Sequence, residues 1–266
     1  MRSIFISGAT SGIGKATALL LAERGYRILA HGRERAKLDG LKRALDRGKP
    51  GAEHRTYQAD LTSFEEIDRM IGEVKSENHS LFGIISNAAL FSHEKVLVPG
   101  RQIEQTFMVN QLAAYKLING LMDLLKTEQG EKHILQVSSM AHTNSIDLEQ
   151  VVNPEDYDGY RAYGESKLCN ILMVKYLAPR VAAHGILVNA LHPGVIDTAI
   201  LREGWGDFGA PVTVAAKTIL QSLENQVPEN SGDYFVNALP VSPASIAENH
   251  DIQEACWRLQ TALDAG

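Results

Sequence analysis

The sequence predicts an α/β fold: one doubly wound domain, with a mostly parallel seven-stranded sheet and helices on both faces. Two observations predict it. Apolar runs of strand length alternate with amphipathic stretches of helix length along the whole chain, the pattern of a layered sheet-and-helix domain. Most of these strand runs are continuous in apolar residues rather than alternating, as strands buried on both faces read. With 266 residues, the chain has length for one large sheet domain and a sizeable core.

Taken in order, strands are expected at 3–7, 27–31, 54–58, 83–86, 133–138, 187–191 and 233–236. Helices are expected between them at 15–23, 36–46, 64–75, 101–126, 163–183 and 214–224. Gly48-Lys-Pro-Gly51 reads as a turn, because Gly and Pro punctuate regular structure. No repeat or Pro/Ser-rich linker divides the chain, so 1–266 is read as a single domain. Two segments interrupt the alternation: an acidic loop at 141–159, and a loop at 199–211 with Gly-rich stretch, Trp205 and Phe208. Loops this long inside a compact α/β domain are often functional.

Composition excludes several classes. A net charge of −6 and the lack of any Lys/Arg run leave no footprint for nucleic acid or an anionic membrane. No apolar run approaches the roughly 18 residues of a membrane span. The chain enters a strand-like run at once, without the pattern of a signal peptide. Two cysteines, Cys169 and Cys256, form no metal-binding spacing, so no metal is expected. Few cysteines and no export signal fit a reducing cytoplasm.

The run Ala162-Tyr-Gly-Glu-Ser-Lys167 sets Tyr163 and Lys167 four residues apart. On a helix that spacing stacks both side chains on one face, about 6 Å apart along the axis. A cation there favours tyrosinate and lowers the phenol pKa from about 10 toward neutrality. A phenol tuned that way can pass a proton to or from a substrate oxygen. Any helix can carry such a pair, so its meaning depends on what else the chain provides.

Ser7-Gly-Ala-Thr-Ser-Gly-Ile-Gly14 follows the first expected strand and opens the first helix, the context in which a Gly-rich match is meaningful. Gly8 permits a tight turn, Gly12 lets backbone approach a pyrophosphate, and Gly14 lets helix and strand pack. Thr10, Ser11 and Ile13 complete the loop, and the helix N-terminus offers free N–H groups and a positive dipole end to phosphates. The fold is therefore read as Rossmann-type. NAD-binding folds usually place an acid at the end of the second strand, about 20 residues on, to hold the ribose 2′-hydroxyl. Here that strand ends Ala30-His-Gly-Arg33, without an acid. The Arg33 guanidinium can take a 2′-phosphate as a fork, so the expected cofactor is NADP(H).

Together these elements resemble the short-chain dehydrogenase/reductase family, over nearly the whole chain. Asp60-Leu61 after the third strand looks like the family's adenine-binding acid, and Asn87-Ala88-Ala89 resembles its Asn-Ala-Gly motif. Asn110 sits where the family carries a helix asparagine. Ser138-Ser139 ends the fifth strand ahead of Tyr163 and Lys167, and Pro193-Gly194-Val195 and Thr198 follow the sixth. The resemblance implies that Tyr163 is the general acid in carbonyl reduction and the base in alcohol oxidation. It implies that Lys167 lowers the Tyr163 pKa and binds the nicotinamide ribose, and that Ser139, the second serine, hydrogen-bonds the substrate oxygen. Asn110 would hold a water linking Lys167 to solvent, and Thr198 would bind the nicotinamide carboxamide.

Within the family the chain looks most like the retinol-dehydrogenase-like branch, on Val137-Ser-Ser-Met-Ala-His142, the extra residues before Tyr163, Ser166-Lys-Leu-Cys-Asn170 and Leu191-His-Pro-Gly194. That branch generally prefers NADP(H) and acts on lipophilic or aromatic alcohols, aldehydes and ketones. Phe91, Trp205 and Phe208 suggest an apolar pocket to match. There are departures. Ala89 replaces a glycine, Ser7 replaces the commoner Thr, and Ser139 and Tyr163 lie 24 residues apart, wider than usual. The excess should loop out at 141–159. The expected activity is NADP-dependent oxidoreduction of a small-molecule carbonyl or alcohol. Two alternatives stand beside it: a catalytically silent NADP-binding sensor or scaffold, and an extended-type epimerase or dehydratase. The family's usual homodimer or homotetramer pairs the 101–126 and 163–183 helices, which the insertion before Tyr163 could obstruct.

Overall fold

The computed structural model describes residues 1–265 of the chain. Its elements are β1 (Ser3–Ile6), α1 (Gly12–Glu23), β2 (Arg27–Gly32), α2 (Arg35–Gly48), β3 (Arg55–Gln58), α3 (Phe64–Glu77), β4 (Gly83–Ser86), α4 (Gln105–Phe107), a π turn (Met108–Leu112), α5 (Ala113–Thr127), β5 (Lys132–Val137), α6 (Gly159–Val181), β6 (Ile186–His192), α7 (Ala199–Gly204), α8 (Val212–Glu224), β7 (Tyr234–Val236), β8 (Leu239–Pro240) and α9 (His250–Ala265). One sheet takes the order β3-β2-β1-β4-β5-β6-β7-β8. The strands β1 to β7 are parallel, and β8 turns back antiparallel on β7.

The strand order reverses beside β1, with β2 on one side and β4 on the other. The loops leaving β1 and β4 therefore diverge and open a crevice at their C-terminal ends, where ligands of open α/β sheets bind. Two apolar layers sandwich the sheet. One packs α3, α5, α6 and α9 through residues such as Ile67, Leu117, Ile171 and Cys256. The other packs α1, α2 and α8 through Leu21, Leu41, Leu45 and Ile219. Each fully buried Leu or Ile contributes roughly 1.5–3 kcal/mol of hydrophobic stabilisation, so the crevice stands on a rigid base.

Four features differ from the sequence expectations. The sheet has eight strands rather than seven; the extra one is two residues long and ends in Pro240, which an edge strand tolerates. The helix expected at 101–126 begins at Gln105 and widens into the π turn before α5. The loop at 199–211 contains the short helix α7. A long helix, α9, lies beyond the last expected element. It lies along the α5/α6 face, with Trp257 stacked on Tyr176 and edge-on to Tyr115. Lys116 of α5 bridges Asp264 of α9 and Asp68 of α3. This is the face that the family resemblance assigns to subunit pairing. No helix among the described residues is long and apolar enough to cross a membrane.

Candidate active site

Of the residues expected to bind cofactor or do chemistry, all but Asn110 line one cleft of about 1230 Å3 over the C-terminal ends of the strands. Its phosphate end is built by backbone. Gly8 has φ +66° and Gly12 φ +50°, conformations that favour glycine. A Cβ on Gly14 would stand 2.2 Å from the Gly8 carbonyl oxygen and 2.5 Å from Asn87 Nδ2. The first turn of α1 opens onto the cleft, and its N-cap Ser11 makes no side-chain hydrogen bond to it. These features fit a pyrophosphate.

Two side chains hold this turn in shape. Ser7 Oγ accepts from the amides of Asn87 and Ala88 at 2.9 and 3.0 Å, tying the ends of β1 and β4 together. Asn87 Nδ2 donates back to the carbonyls of Ser7 and Gly8. Sequence reasoning missed His31. Its Nδ1 accepts from the Gly8 amide at 3.1 Å, which leaves Nε2 to donate to the Ala59 carbonyl at 3.1 Å. Burial lowers the His31 pKa to about 4, so the ring stays neutral and keeps this tautomer.

Arg33 follows β2 directly, exposed on the cleft wall, and forms no ion pair among the described residues. Its neighbour Glu34 also lines the cleft, but Lys37 Nζ holds that carboxylate at 2.6 Å. Asp60 accepts from the amide and hydroxyl of Thr62, and its own amide donates to Glu66 at 2.8 Å. Glu66 stands in the first turn of α3 and takes its place from the Ser63 cap. Thr198 caps α7 by accepting from the Leu201 amide at 3.2 Å.

At the other end, α6 carries Tyr163, Ser166, Lys167 and Asn170 on one face. The spacing i, i+3, i+4, i+7 stacks them. Asp158 starts the helix by accepting from the Arg161 amide at 2.7 Å. Lys167 Nζ lies 5.5 Å from the centre of the Tyr163 ring. Both serines border the cleft; Ser138 is buried and its hydroxyl donates to the Lys167 carbonyl at 2.8 Å, while Ser139 is only partly buried. The Ser139 hydroxyl accepts from the Ala141 amide at 3.1 Å and its carbonyl meets His142 Nδ1 at 2.8 Å.

Electrostatics here differ from the simple expectation for the pair. Burial pushes the Tyr163 phenol up to about 12, with the Ser139 hydroxyl acting against it. Burial also brings Lys167 down to about 7. Both groups are squeezed toward their neutral forms, so the protein groups alone do not bring the phenol toward neutrality. Asn110 lies in the π turn, away from the cleft wall. Its side chain accepts from the Leu90 amide and donates to the Leu90 carbonyl and to Ser166 Oγ. It braces the loop after β4 against α6.

Aromatic side chains close the far wall. Trp205 stands 5.5 Å from Tyr163 and 5.2 Å from Phe91, and Tyr160 packs against both Phe91 and Trp205. Trp205 and Phe208 line the cleft, and Phe91 supports Trp205 from behind. The α7 segment is pinned over this cluster. The Tyr160 hydroxyl donates to the Gly204 carbonyl, and His93 Nε2 meets the Glu203 carbonyl at 3.0 Å. The acidic loop at 141–159 is stitched away from the cleft onto 92–104: Glu104 N donates to the Val152 carbonyl, Lys95 Nζ to the Pro154 carbonyl, and Tyr157 to the Ser92 carbonyl. Apart from Ala141 it supplies no lining residue, so its carboxylates do not shape substrate charge preference at the cleft wall.

Comparison with known proteins agrees with this fold. A family model described as short chain dehydrogenase matches residues 2–206. Retinol dehydrogenase 13 of Mus musculus is 28% identical over 96% of this chain and 81% of its own length. The WW domain-containing oxidoreductase of Gallus gallus is 29% identical over 98% of this chain and 67% of its own. Among solved structures, an NADPH-bound carbonyl reductase from chicken fatty liver superposes with a TM-score of 0.74 at 19% identity, covering 91% of this chain and 99% of that one. The carbonyl reductase Sniffer of D. melanogaster gives 0.69 at 19% identity, with the same coverages. These two likenesses are of fold.

Proposed function

The chain belongs to the short-chain dehydrogenase/reductase family, close to its retinol-dehydrogenase-like branch, and from that premise we propose an NADP(H)-dependent carbonyl reductase or alcohol dehydrogenase for lipophilic or aromatic small molecules. One observation carries the reading. Ser139, Tyr163 and Lys167 face the same cleft as the glycine turn and Arg33. A sensor or scaffold would need only the phosphate end.

The residues present fit a dinucleotide. Gly8, Gly12 and Gly14, with the α1 N-terminus, would hold the pyrophosphate, and Asp60 and Leu61 would flank the adenine. Arg33 would take the 2′-phosphate by charge-assisted hydrogen bonds, while Lys37 neutralises Glu34 beside it. Pro193, Gly194, Val195 and Thr198 would bound the nicotinamide end. Bound there, the cofactor supplies or accepts the hydride, and its oxidised ring adds positive charge beside the phenol.

The protein's own part is positioning and proton transfer. In reduction, Ser139 donates a hydrogen bond to the substrate oxygen and fixes it beside Tyr163. The Tyr163 phenol gives its proton to that oxygen as the C–H bond forms, and in oxidation tyrosinate takes it back. Lys167 in its ammonium form steadies the tyrosinate. Trp205 and Phe208 offer apolar faces to the substrate, with Phe91 and Tyr160 packed behind Trp205.

The test is turnover of a panel of aromatic and aliphatic ketones, aldehydes and alcohols with NADPH and NADH in parallel. NADPH-dependent reduction favouring the apolar members is expected. No turnover with either cofactor across the panel overturns the enzyme assignment, and a clear NADH preference overturns the role of Arg33.

A further inference from the structure

Three buried side-chain amides join the C-terminal helix to the amine of Lys167. Gln260 on α9, Gln111 in the π turn and Asn170 on α6 are each fully buried. A buried amide must set its carbonyl against a donor and its NH2 against an acceptor. Backbone carbonyls, which only accept, fix the direction of this chain at both ends. At one end Gln260 Nε2 donates to the Cys256 carbonyl at 2.9 Å. That turns Gln260 Oε1 toward Gln111, whose Nε2 donates to it at 2.7 Å. Gln111 Oε1 must then accept, and Asn170 Nδ2 donates to it at 2.5 Å. At the other end Asn170 Nδ2 also donates to the Asn110 carbonyl at 2.9 Å. Asn170 Oδ1 is thereby turned to Lys167, whose Nζ donates to it at 3.5 Å. Reversing one amide would set donor against donor or acceptor against acceptor.

We infer that Asn170, held by Gln111 and Gln260, is a positioning residue for Lys167, and that α9 reaches the reaction centre through this chain of amides. The inference rests on the assignment of Lys167 to the reaction. The amine has one other protein acceptor, the Val137 carbonyl at 3.0 Å. No ionised side chain on any element packed against it, among the described residues, contributes to its environment; Tyr163 is the titratable group beside it. The Asn170 carbonyl is therefore one of two protein dipoles that favour the ammonium over the amine. A hydrogen bond to a charged group is about twice as strong as one between neutral groups, and low local dielectric makes the arrangement sensitive to every member. Burial already holds Lys167 near pH 7. Loss of that acceptor moves it to the neutral amine, which no longer steadies tyrosinate.

The test follows the 15Nζ signal of Lys167 through a pH titration of lysine-labelled protein, assigned by its disappearance in Lys167→Arg. Asn170→Leu, close in size, is expected to lower the titration midpoint by about one unit, a tenfold change in the ionisation constant. Gln260→Met, which breaks the chain from α9, is expected to lower it by about half a unit, a threefold change in the same constant. Gln253→Met is the control. Gln253 is also buried on α9, and donates to the Ala247 carbonyl at 2.8 Å outside the chain, so its variant leaves the midpoint in place. If Gln260→Met does not fold, Gln111→Met breaks the same chain and carries the same expectation. An unmoved midpoint in Asn170→Leu overturns the inference, as does a Gln260→Met midpoint no different from that of Gln253→Met. The titration needs no substrate or turnover. A wild type that turns over nothing therefore sinks the proposed reaction, while an unmoved lysine sinks this coupling.

Discussion

The two ends of the cleft are built in opposite ways. The phosphate end works through absent side chains: Gly8 and Gly14 leave room that a single Cβ would fill, and the α1 N-terminus opens directly onto the cleft. The catalytic end works through side chains that are buried and bound to one another, with Lys167, Asn170, Gln111 and Gln260 linked from α6 to α9. The first design centres on a short turn between β1 and α1, braced by His31 and Asn87. The second is assembled from positions up to 149 apart. A backbone-built site tolerates little change in shape but carries no buried charge. A side-chain network accepts gradual change but holds groups against their preferred ionisation.

The largest effect that tests this contrast is on chemistry. Lys167→Met is expected to lower kcat about 1000-fold, within the range for loss of acid–base support, measured by NADPH oxidation under saturating substrate. Next is Gly14→Ala. Its methyl meets backbone at 2.2 Å, so a loss of about 1–3 kcal/mol in denaturant stability is expected, together with loss of NADPH binding. Gly12→Ala sharpens the point. The nearest atom to its Cβ is Thr198 Cγ2 at 3.8 Å, so only the positive φ resists it and its stability loss should be the smaller.

Arg33→Ala comes third. It should weaken NADPH binding about 10- to 100-fold, as a charged hydrogen bond of about 1.5–3 kcal/mol implies, and leave NADH binding unchanged in the same fluorescence titration. Equal losses for both cofactors would move Arg33 from the 2′-phosphate to a general role. The last effect concerns the pH dependence of stability. Lys167 titrates at about 7 in the fold against an ordinary value of 10.5. Below pH 7 both states carry the proton and the fold bears the full cost of burying it. Between those values the unfolded chain binds the proton and the fold does not, so stability rises with pH. Thermal melts should show that rise from pH 7 upward, and Lys167→Met should melt higher at pH 7 and lack this part of the rise.

What the sequence revealed follows the same division. The glycine turn, Arg33 and the Tyr163/Lys167 pair are short-range features, and each lies where its spacing placed it. Ser138 and Ser139 are adjacent in sequence, and only the structure shows that Ser138 spends its hydroxyl on the α6 backbone. His31 carried no signal because its role is to buttress Gly8 across 23 residues. Gln111, Asn170 and Gln260 are ordinary amides in sequence, and only burial makes their bonds obligatory. The strand β8 is too short for any periodicity to show. At the phenol, spacing reveals the neighbouring lysine but not the burial that raises the pKa.

The central claim is that Tyr163 passes the proton in an NADP(H)-dependent reaction at this cleft. It is tested most directly by Tyr163→Phe, with NADPH affinity and turnover measured on the same preparation. NADPH binding within about threefold of wild type and a fall in kcat of about 1000-fold or more are expected. Turnover that survives with the phenol oxygen removed would contradict it.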